Sequence, residues 1–138
     1  MKYPIAITII ENEEKGKLVQ ADVPDLPGCQ EKAESVEIVM VRINEAISGH
    51  LTILSEYGES IPHPKGIDWY VNQQKNSDII WAIIDIDITP FLGRSHKINV
   101  TLPELLIKKI DDKVSKNPSY KTRSGFIARA CIAELNQN

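Results

Sequence analysis

Three polar side chains alternate along one short stretch, His96–Pro103, in a pattern that suits the reading of DNA bases. Lys97, Asn99 and Thr101 are separated by apolar residues, and this alternation is typical of a β-strand with one polar face. Lysine can donate to guanine, asparagine can pair with adenine through two hydrogen bonds, and threonine can contact a base edge or a thymine methyl group. A merely solvated strand face has the same pattern, so alternation alone leaves both interpretations open.

A second polar group precedes the last helical pattern of the chain. Thr122, Arg123, Ser124 and Gly125 stand at its N-terminus, where unpaired N–H groups and the helix dipole favour a phosphate. Ser124 and Gly125 are small enough for a DNA backbone to approach, and Arg123 adds positive charge. Base-reading and phosphate-binding groups together would make a coherent DNA interface.

The elements that must hold these two groups are too few to fold alone. Pro103 ends the predicted strand and suits the first turn of a helix over 104–116, and a second helix runs to Leu135. One strand and two helices over about 42 residues bury little core, and a strand without a partner is marginal. Two copies that pair their strands about a two-fold axis would remove both deficits, and such a ribbon fits the major groove.

The first 93 residues carry a different pattern, of short strands followed by a long helix and one more strand. The strands are predicted at Tyr3–Ile10, Lys17–Val23 (after a turn around Lys15-Gly16), Cys29–Ala33 and Asp78–Thr89, the last joining the sheet as its final member. Ser35 caps a helix of about 21 residues that carries one apolar stripe and ends at Gly58. This pattern indicates an α+β fold.

Charge divides the chain at the same place. The net charge is −3 overall, but residues 1–93 hold seven Lys/Arg and fifteen Asp/Glu, a net −8, whereas residues 94–138 hold nine and four, a net +5. Two domains, 1–93 and 94–138, with different partners are therefore expected, and the basic one favours a polyanion or is simply a solvated lysine-rich surface. Two distant cysteines and no apolar run near ~20 residues indicate a cytoplasmic protein without a membrane span.

Both halves of the chain resemble parts of one known family. Lys97–Leu135, with its strand, proline, helix, loop and Arg-Ser-Gly helix start, resembles the ribbon-helix-helix DNA-binding fold of Arc- and MetJ-type repressors. The hairpin, the Asp-Leu-Pro-Gly-Cys turn at Asp25–Cys29, the long helix and its Ile61–Pro64 exit resemble the degraded ribonuclease-H-like domain of HicB antitoxins. The order of the two domains also matches that family, and Gly66–Ser77 is the segment without a counterpart.

The resemblance implies a type II toxin–antitoxin function. A HicB antitoxin would bind a small HicA-type ribonuclease toxin through its front domain and repress its own operon as a homodimer, or a larger oligomer, that binds operator DNA through its back domain. Acidic groups could cover the basic surface of an RNA-binding toxin, and Asp22, Asp25 and Glu31, which flank the family's turn, are the predicted contacts. Ordinary solubilising carboxylates are an equal alternative for each of them. The alternative function is a stand-alone ribbon-helix-helix regulator whose front domain senses a small ligand.

An enzyme is the third alternative. Asp85 and Asp87 alternate on one strand, as a metal-binding carboxylate pair would, but an active ribonuclease-H fold begins its acidic cluster in the first strand, where Ile5–Ile10 supplies no carboxylate. No histidine has a Ser, Cys or Asp arranged for nucleophilic catalysis, and neither cysteine has a partner at metal-ligand spacing. We therefore expect no catalysis, metal or cofactor.

Overall fold

A computed structural model of the chain describes residues 1–14, 16–74 and 78–137. The predicted turn residue Lys15 and the last part of the Gly66–Ser77 segment lie outside the described residues. The chain forms two compact units, Met1–Phe91 and Leu92–Asn138, and each is described by itself. No helix in the described ranges is long and apolar enough to cross a membrane.

The first unit is built on an antiparallel sheet with strands at the four predicted places, but the strand predicted over Asp78–Thr89 ends at Asp85, and a short 3-10 turn follows at Thr89–Phe91. The strands are β1 (Lys2–Asn12), β2 (Gly16–Asp22), β3 (Gln30–Ala33) and β4 (Ile79–Asp85), in the order β3-β2-β1-β4. The register is fixed by pairs such as Ile7 with Ala21 and Val19 with Ala33. Because side chains alternate across a strand, these four share one face of the sheet.

The long helix α1 (Val36–Glu56) covers this face, and both of its ends are capped as predicted. The Oγ of Ser35 accepts a hydrogen bond from the Ile38 N–H. At the other end Gly58 adopts a φ of 69°, which a side chain would disfavour. The Gly58 and Glu59 N–H groups then donate back to the carbonyls of Ser55 and Leu54, a pattern that satisfies the last carbonyl groups of a helix.

The core lies between α1 and the sheet. The helix contributes four fully buried side chains, spaced three to four residues apart, and the sheet contributes aliphatic side chains from its first three strands. These residues are Val39, Ile43, Ile47 and Leu51 on α1 and Ile5, Ile7, Val19, Ala21 and Ala33 on the strands. The predicted stripe on the long helix is thereby confirmed. A short helix, α2 (Ile67–Gln73), precedes β4.

The second unit contains two helices, α3 (Glu104–Lys116) and α4 (Arg123–Leu135), at the predicted positions. Among its apolar side chains, Ile110 is buried, whereas Leu105 is 71% exposed. The structure gives no strand at His96–Pro103, so the strand prediction is not realised in a single chain. A strand is held by hydrogen bonds to a neighbouring strand, and residues 92–137, the described part of this unit, contain no strand with which it could pair.

The free energy of unfolding of the first unit should depend on the α1 stripe. Ile47→Ala removes a fully buried side chain and should lower the free energy of unfolding by about 2–5 kcal/mol. Val41→Ala, on the exposed side of the same helix, should change it by less than about 0.5 kcal/mol. Urea unfolding followed by tryptophan fluorescence measures both, and equal losses would contradict this packing.

Candidate functional site

The Asp25–Cys29 motif forms a closed turn at the end of β2. The Val23 N–H donates to the Cys29 carbonyl at 3.0 Å, and two further backbone hydrogen bonds through Leu26 close the turn. Gly28 takes a φ of 85°, in the left-handed region that favours glycine. Leu26 is fully buried, so its side chain anchors the turn in the core.

Asp25 uses its carboxylate to hold the segment that follows α1. Its Oδ1 accepts hydrogen bonds from the Tyr70 hydroxyl at 2.7 Å and from the Lys65 N–H at 3.1 Å. Its Oδ2 is buried without a hydrogen-bond partner among the described residues. Burial, together with the hydrogen bond to the Asp25 carboxylate and its negative charge, raises the pKa of Tyr70 to about 12, which extends the range over which its hydroxyl can donate further above neutral pH.

Aromatic contacts complete the attachment of α2 to the sheet. Tyr70 stacks on Trp81 of β4 with the ring centroids 5.8 Å apart, and Trp69 lies edge-on to Tyr70 at 4.9 Å. The Nζ of Lys65 lies 4.3 Å from the centroid of the Trp69 ring. Where the chain leaves α1, the Tyr3 hydroxyl donates to the Pro62 carbonyl at 2.8 Å. Part of the Gly66–Ser77 segment, which has no counterpart in the resembled family, thus covers the sheet as an ordered helix.

The three carboxylates predicted to contact a toxin do not form one cluster. Asp22 pairs with Gln30 across the β2–β3 ladder, whereas Glu31 pairs with Ala21. Asp22 and Glu31 therefore point to opposite faces of the sheet. Asp25 is turned toward α2 and engaged there. Flanking one turn in the sequence therefore does not place Asp22 and Glu31 on one face of the sheet, and their contact with a toxin stays a prediction.

The predicted base-reading residues lie on an exposed segment of the second unit that has no regular secondary structure. Lys97, Asn99 and Thr101 are all exposed to solvent. Their apolar neighbours Ile98 and Val100 are also exposed, at 79% and 61%. In a single chain both faces of this segment are therefore open to solvent.

The predicted phosphate-binding group is ordered by a cap and an ion pair. The Oγ1 of Thr122 accepts from the Gly125 N–H at 3.0 Å, and a Cβ on Gly125 would lie 3.2 Å from that oxygen, so the cap favours glycine there. Arg123 donates from Nε and Nη2 to the Asp111 carboxylate at 2.9 and 2.7 Å. This pairing lowers the pKa of Asp111 and raises that of Arg123. Arg123 therefore joins α4 to α3, a role that the sequence reading missed because Asp111 lies on the preceding helix.

The two carboxylates considered as a metal pair are engaged in local contacts, and only Asp85 lies on β4, since Asp87 follows its end. Asp85 lies 3.3 Å from the amino group of Met1, and the Oδ1 of Asp87 accepts from the Thr89 N–H at 3.1 Å. Over residues 1–14, 16–74 and 78–137, no group of three His, Cys, Asp or Glu side chains is arranged to hold a metal ion.

Comparison with known proteins identifies the class. A family model described as a HicB-like antitoxin of bacterial toxin–antitoxin systems matches residues 3–131. The chain therefore belongs to the HicB-like antitoxin family. It is 37% identical over 135 residues to an uncharacterized 14.9 kDa protein of the rep–hol intergenic region of Haemophilus phage HP1, which covers 98% of both chains.

Solved structures agree over the full length. The antitoxin HicB of Burkholderia pseudomallei superposes with a TM-score of 0.69 at 30% identity, covering 99% of each chain. The antitoxin HicB3 superposes with a TM-score of 0.56 at 27% identity, covering 95% of each. The mixed α+β architecture is thus shared with HicB antitoxins.

The hydrogen bond between Tyr70 and Asp25 should stabilise the first unit measurably. Tyr70→Phe removes the donor to a half-buried carboxylate and should lower the free energy of unfolding by about 1–3 kcal/mol. Tyr57→Phe, at an exposed tyrosine, is the matched control and should change it little. Urea unfolding followed by the fluorescence of Trp69 and Trp81 measures both. Equal values for the two variants would rule out a stabilising role for this bond.

Proposed function

We propose that this antitoxin neutralises an RNA-cleaving HicA-type toxin by direct binding and represses its own operon by binding operator DNA. The observation that carries the proposal is the charge of the two compact units of a HicB-like chain. Residues 1–91 carry seven Lys/Arg and fifteen Asp/Glu, and residues 92–138 carry nine and four. The acidic first unit is complementary to a basic protein, and the basic second unit is complementary to a nucleic acid.

Toxin binding is assigned to the first unit. A ribonuclease must present positive charge to RNA, and an acidic partner both covers that charge and speeds association. Asp22 and Glu31 remain the candidate surface contacts, one on each face of the sheet. Asp25 would contribute through the position of α2, since its carboxylate is held by Tyr70 and Lys65.

Neutralising the two surface carboxylates should slow toxin binding. The double variant Asp22→Asn/Glu31→Gln should reduce the association rate constant by roughly threefold to tenfold at low salt, with a smaller effect at high salt. The double variant Glu13→Gln/Glu14→Gln, in the β1–β2 loop, removes the same charge elsewhere. Surface plasmon resonance against the protein encoded by the adjacent open reading frame measures both. Equal slowing by the two double variants would exclude specific contacts at Asp22 and Glu31.

DNA binding is assigned to the second unit, as a ribbon-helix-helix dimer. Two copies that pair residues 97–102 as antiparallel strands would shield Ile98, Val100 and Leu105, which are exposed in one chain, and would give the segment its missing partner. The polar face of that ribbon would present Lys97, Asn99 and Thr101 from each copy to the major groove.

The N-terminus of α4 would hold the ribbon in register on the DNA. Thr122, Ser124 and Gly125 surround the first turn of α4, where N–H groups that the Thr122 cap does not use would favour a backbone phosphate. The Arg123–Asp111 pair fixes the start of α4 against α3. Phosphate contacts of this kind position a protein without reading sequence.

Lys97 should contribute to operator affinity. Lys97→Ala should weaken binding to a fragment of the protein's own promoter by about 1–3 kcal/mol if Lys97 reads a base. Lys17→Ala, on the first unit, makes the same change of charge and should have little effect. Fluorescence anisotropy at fixed salt measures both, and unchanged affinity for Lys97→Ala would remove this residue from the interface.

We also propose that the sheet and α1 form a partial ribonuclease-H-like domain that performs no hydrolysis. Support comes from the family, whose model describes antitoxins, and from the local engagement of Asp85 and Asp87. Repression of an operon and inhibition of an mRNA-cleaving toxin would both take place in the cytoplasm.

A further inference from the structure

The two edges of the sheet are protected to different degrees. β3 has four residues, and Arg42 of α1 donates from Nη1 to the Lys32 carbonyl at 2.8 Å. β4 has seven residues and lies at the opposite edge, beside β1. Exposed edge strands are commonly guarded by proline, lysine or a covering element. The sequence of β4, Ile-Ile-Trp-Ala-Ile-Ile-Asp, contains neither proline nor lysine.

The hydrogen-bond pattern shows which backbone groups of β4 face outward. Met1 and Ile86 lie opposite each other and exchange two hydrogen bonds, both of 2.8 Å. In an antiparallel ladder only alternate residues bond to a given neighbour, so Ile84, Ala82 and Ile80 bond to β1. The intervening residues Ile79, Trp81, Ile83 and Asp85 therefore turn their N–H and C=O groups away from β1, toward an edge with which no strand of the described residues pairs.

The same ladder logic explains the state of the other edge. The Val23 N–H donates to the Cys29 carbonyl, so Cys29, Glu31 and Ala33 bond to β2. Gln30 and Lys32 face outward, and Arg42 already occupies the Lys32 carbonyl. Gln30 therefore has on the guarded edge of β3 the same outward orientation of its backbone groups that Ile83 has on the edge of β4.

Side chains around β4 give the open edge an apolar centre. Ile80 and Ile83, on opposite faces of the strand, are each 50% exposed. Trp81 shares a face with Ile83 and is stacked on Tyr70, and Trp69 beside it is 45% exposed. Aromatic and aliphatic side chains next to unpaired backbone groups are typical of surfaces that take up an added strand.

Charge selects a basic protein as the occupant. Residues 1–91 carry a net −8, and Asp85, 61% exposed at its side chain, stands at an outward position of β4. A second copy would bring equal negative charge. In the two-fold registers that place Ile83 across from Trp81 or from another Ile83, Asp85 would face Ile79 or Trp81. A Lys or Arg on a basic strand would instead pair with Asp85 across the ladder, in addition to its exposed 3.3 Å contact with the Met1 amino group.

We propose that the open edge of β4 takes an extended segment of the basic toxin as a fifth strand, through the outward backbone groups of Trp81, Ile83 and Asp85. This inference rests on the proposed toxin binding and specifies where the toxin docks and how. It places the docking site at the edge opposite β3. Asp22 and Glu31 would instead raise the rate at which the toxin associates.

Proline at Ile83 tests the edge directly. Ile83→Pro removes an outward N–H group and leaves the β1–β4 ladder intact, because that N–H does not bond to β1. The matched control, Gln30→Pro, removes an outward N–H group from the opposite edge. Each full-length variant is purified alone and titrated with the separately purified protein of the adjacent open reading frame, and the Kd is measured by isothermal titration calorimetry.

The expected result is a Kd raised about tenfold or more by Ile83→Pro and changed less than about threefold by Gln30→Pro. Equal Kd values for Ile83→Pro and the unmodified chain overturn the edge proposal while toxin binding stands. Absence of binding by the unmodified chain overturns both proposals.

A second variant covers the case in which proline prevents folding, which circular dichroism and a thermal melt would reveal. Ile83→Lys keeps the N–H group but places positive charge where a basic strand must dock, and it should also raise the Kd about tenfold or more. Sedimentation of the antitoxin alone tests the other possible occupant of the edge, a second copy of this chain. A change of oligomeric state in Ile83→Pro, with an unchanged toxin Kd, would show that a second copy of the chain covers the edge and would overturn the proposal.

Discussion

The burial of the α1 stripe against one face of the sheet is the constraint on which the first unit depends. Ile43, Ile47 and Leu51 are fully buried, and they require aliphatic side chains opposite them. Because side chains alternate across a strand, this requirement fixes the register of β1, β2 and β3, since a slip of one residue would expose the whole set. The register in turn decides which backbone groups reach each edge of the sheet. The open edge of β4 and the guarded edge of β3 both follow from it.

The Asp25–Tyr70 hydrogen bond adds a second level of order to the same unit. Asp25 sits on a closed turn and receives donors from a segment 40 or more residues further along the chain. A carboxylate that is partly withdrawn from water is stabilised by such donors, and removing them would leave it underpaired. The turn that resembles the family's motif thus holds the cover formed by α2, and it places Trp69 and Tyr70 beside β4.

The second unit shows the opposite situation, with firm local order and little burial. Thr122 caps α4, Arg123 binds Asp111, and Tyr120 contacts Phe126 with the ring centroids 5.1 Å apart. Yet Ile98 and Leu105 remain largely exposed. Local hydrogen bonds and ion pairs fix the helix pair, but they do not replace a hydrophobic core. The proposed dimer would place these exposed side chains in a core shared between two copies.

The sequence by itself determined most of the elements, because caps, turn residues and apolar periodicity are local. Ser35 and Gly58 mark the ends of α1 correctly, the four strands of the sheet lie where alternation and β-branched residues predict them except at the end of β4, and the charge of the two units follows from composition alone. The strand predicted at His96–Pro103 does not form, because a strand also needs a pairing partner. Tertiary structure decided which side chains meet. Asp25 turned toward Tyr70, Arg123 turned toward Asp111, and Asp22 and Glu31 were separated onto opposite faces. Contacts between residues far apart in sequence depend on register and on the direction in which each side chain leaves the backbone, and neither quantity is written in the spacing of residue types.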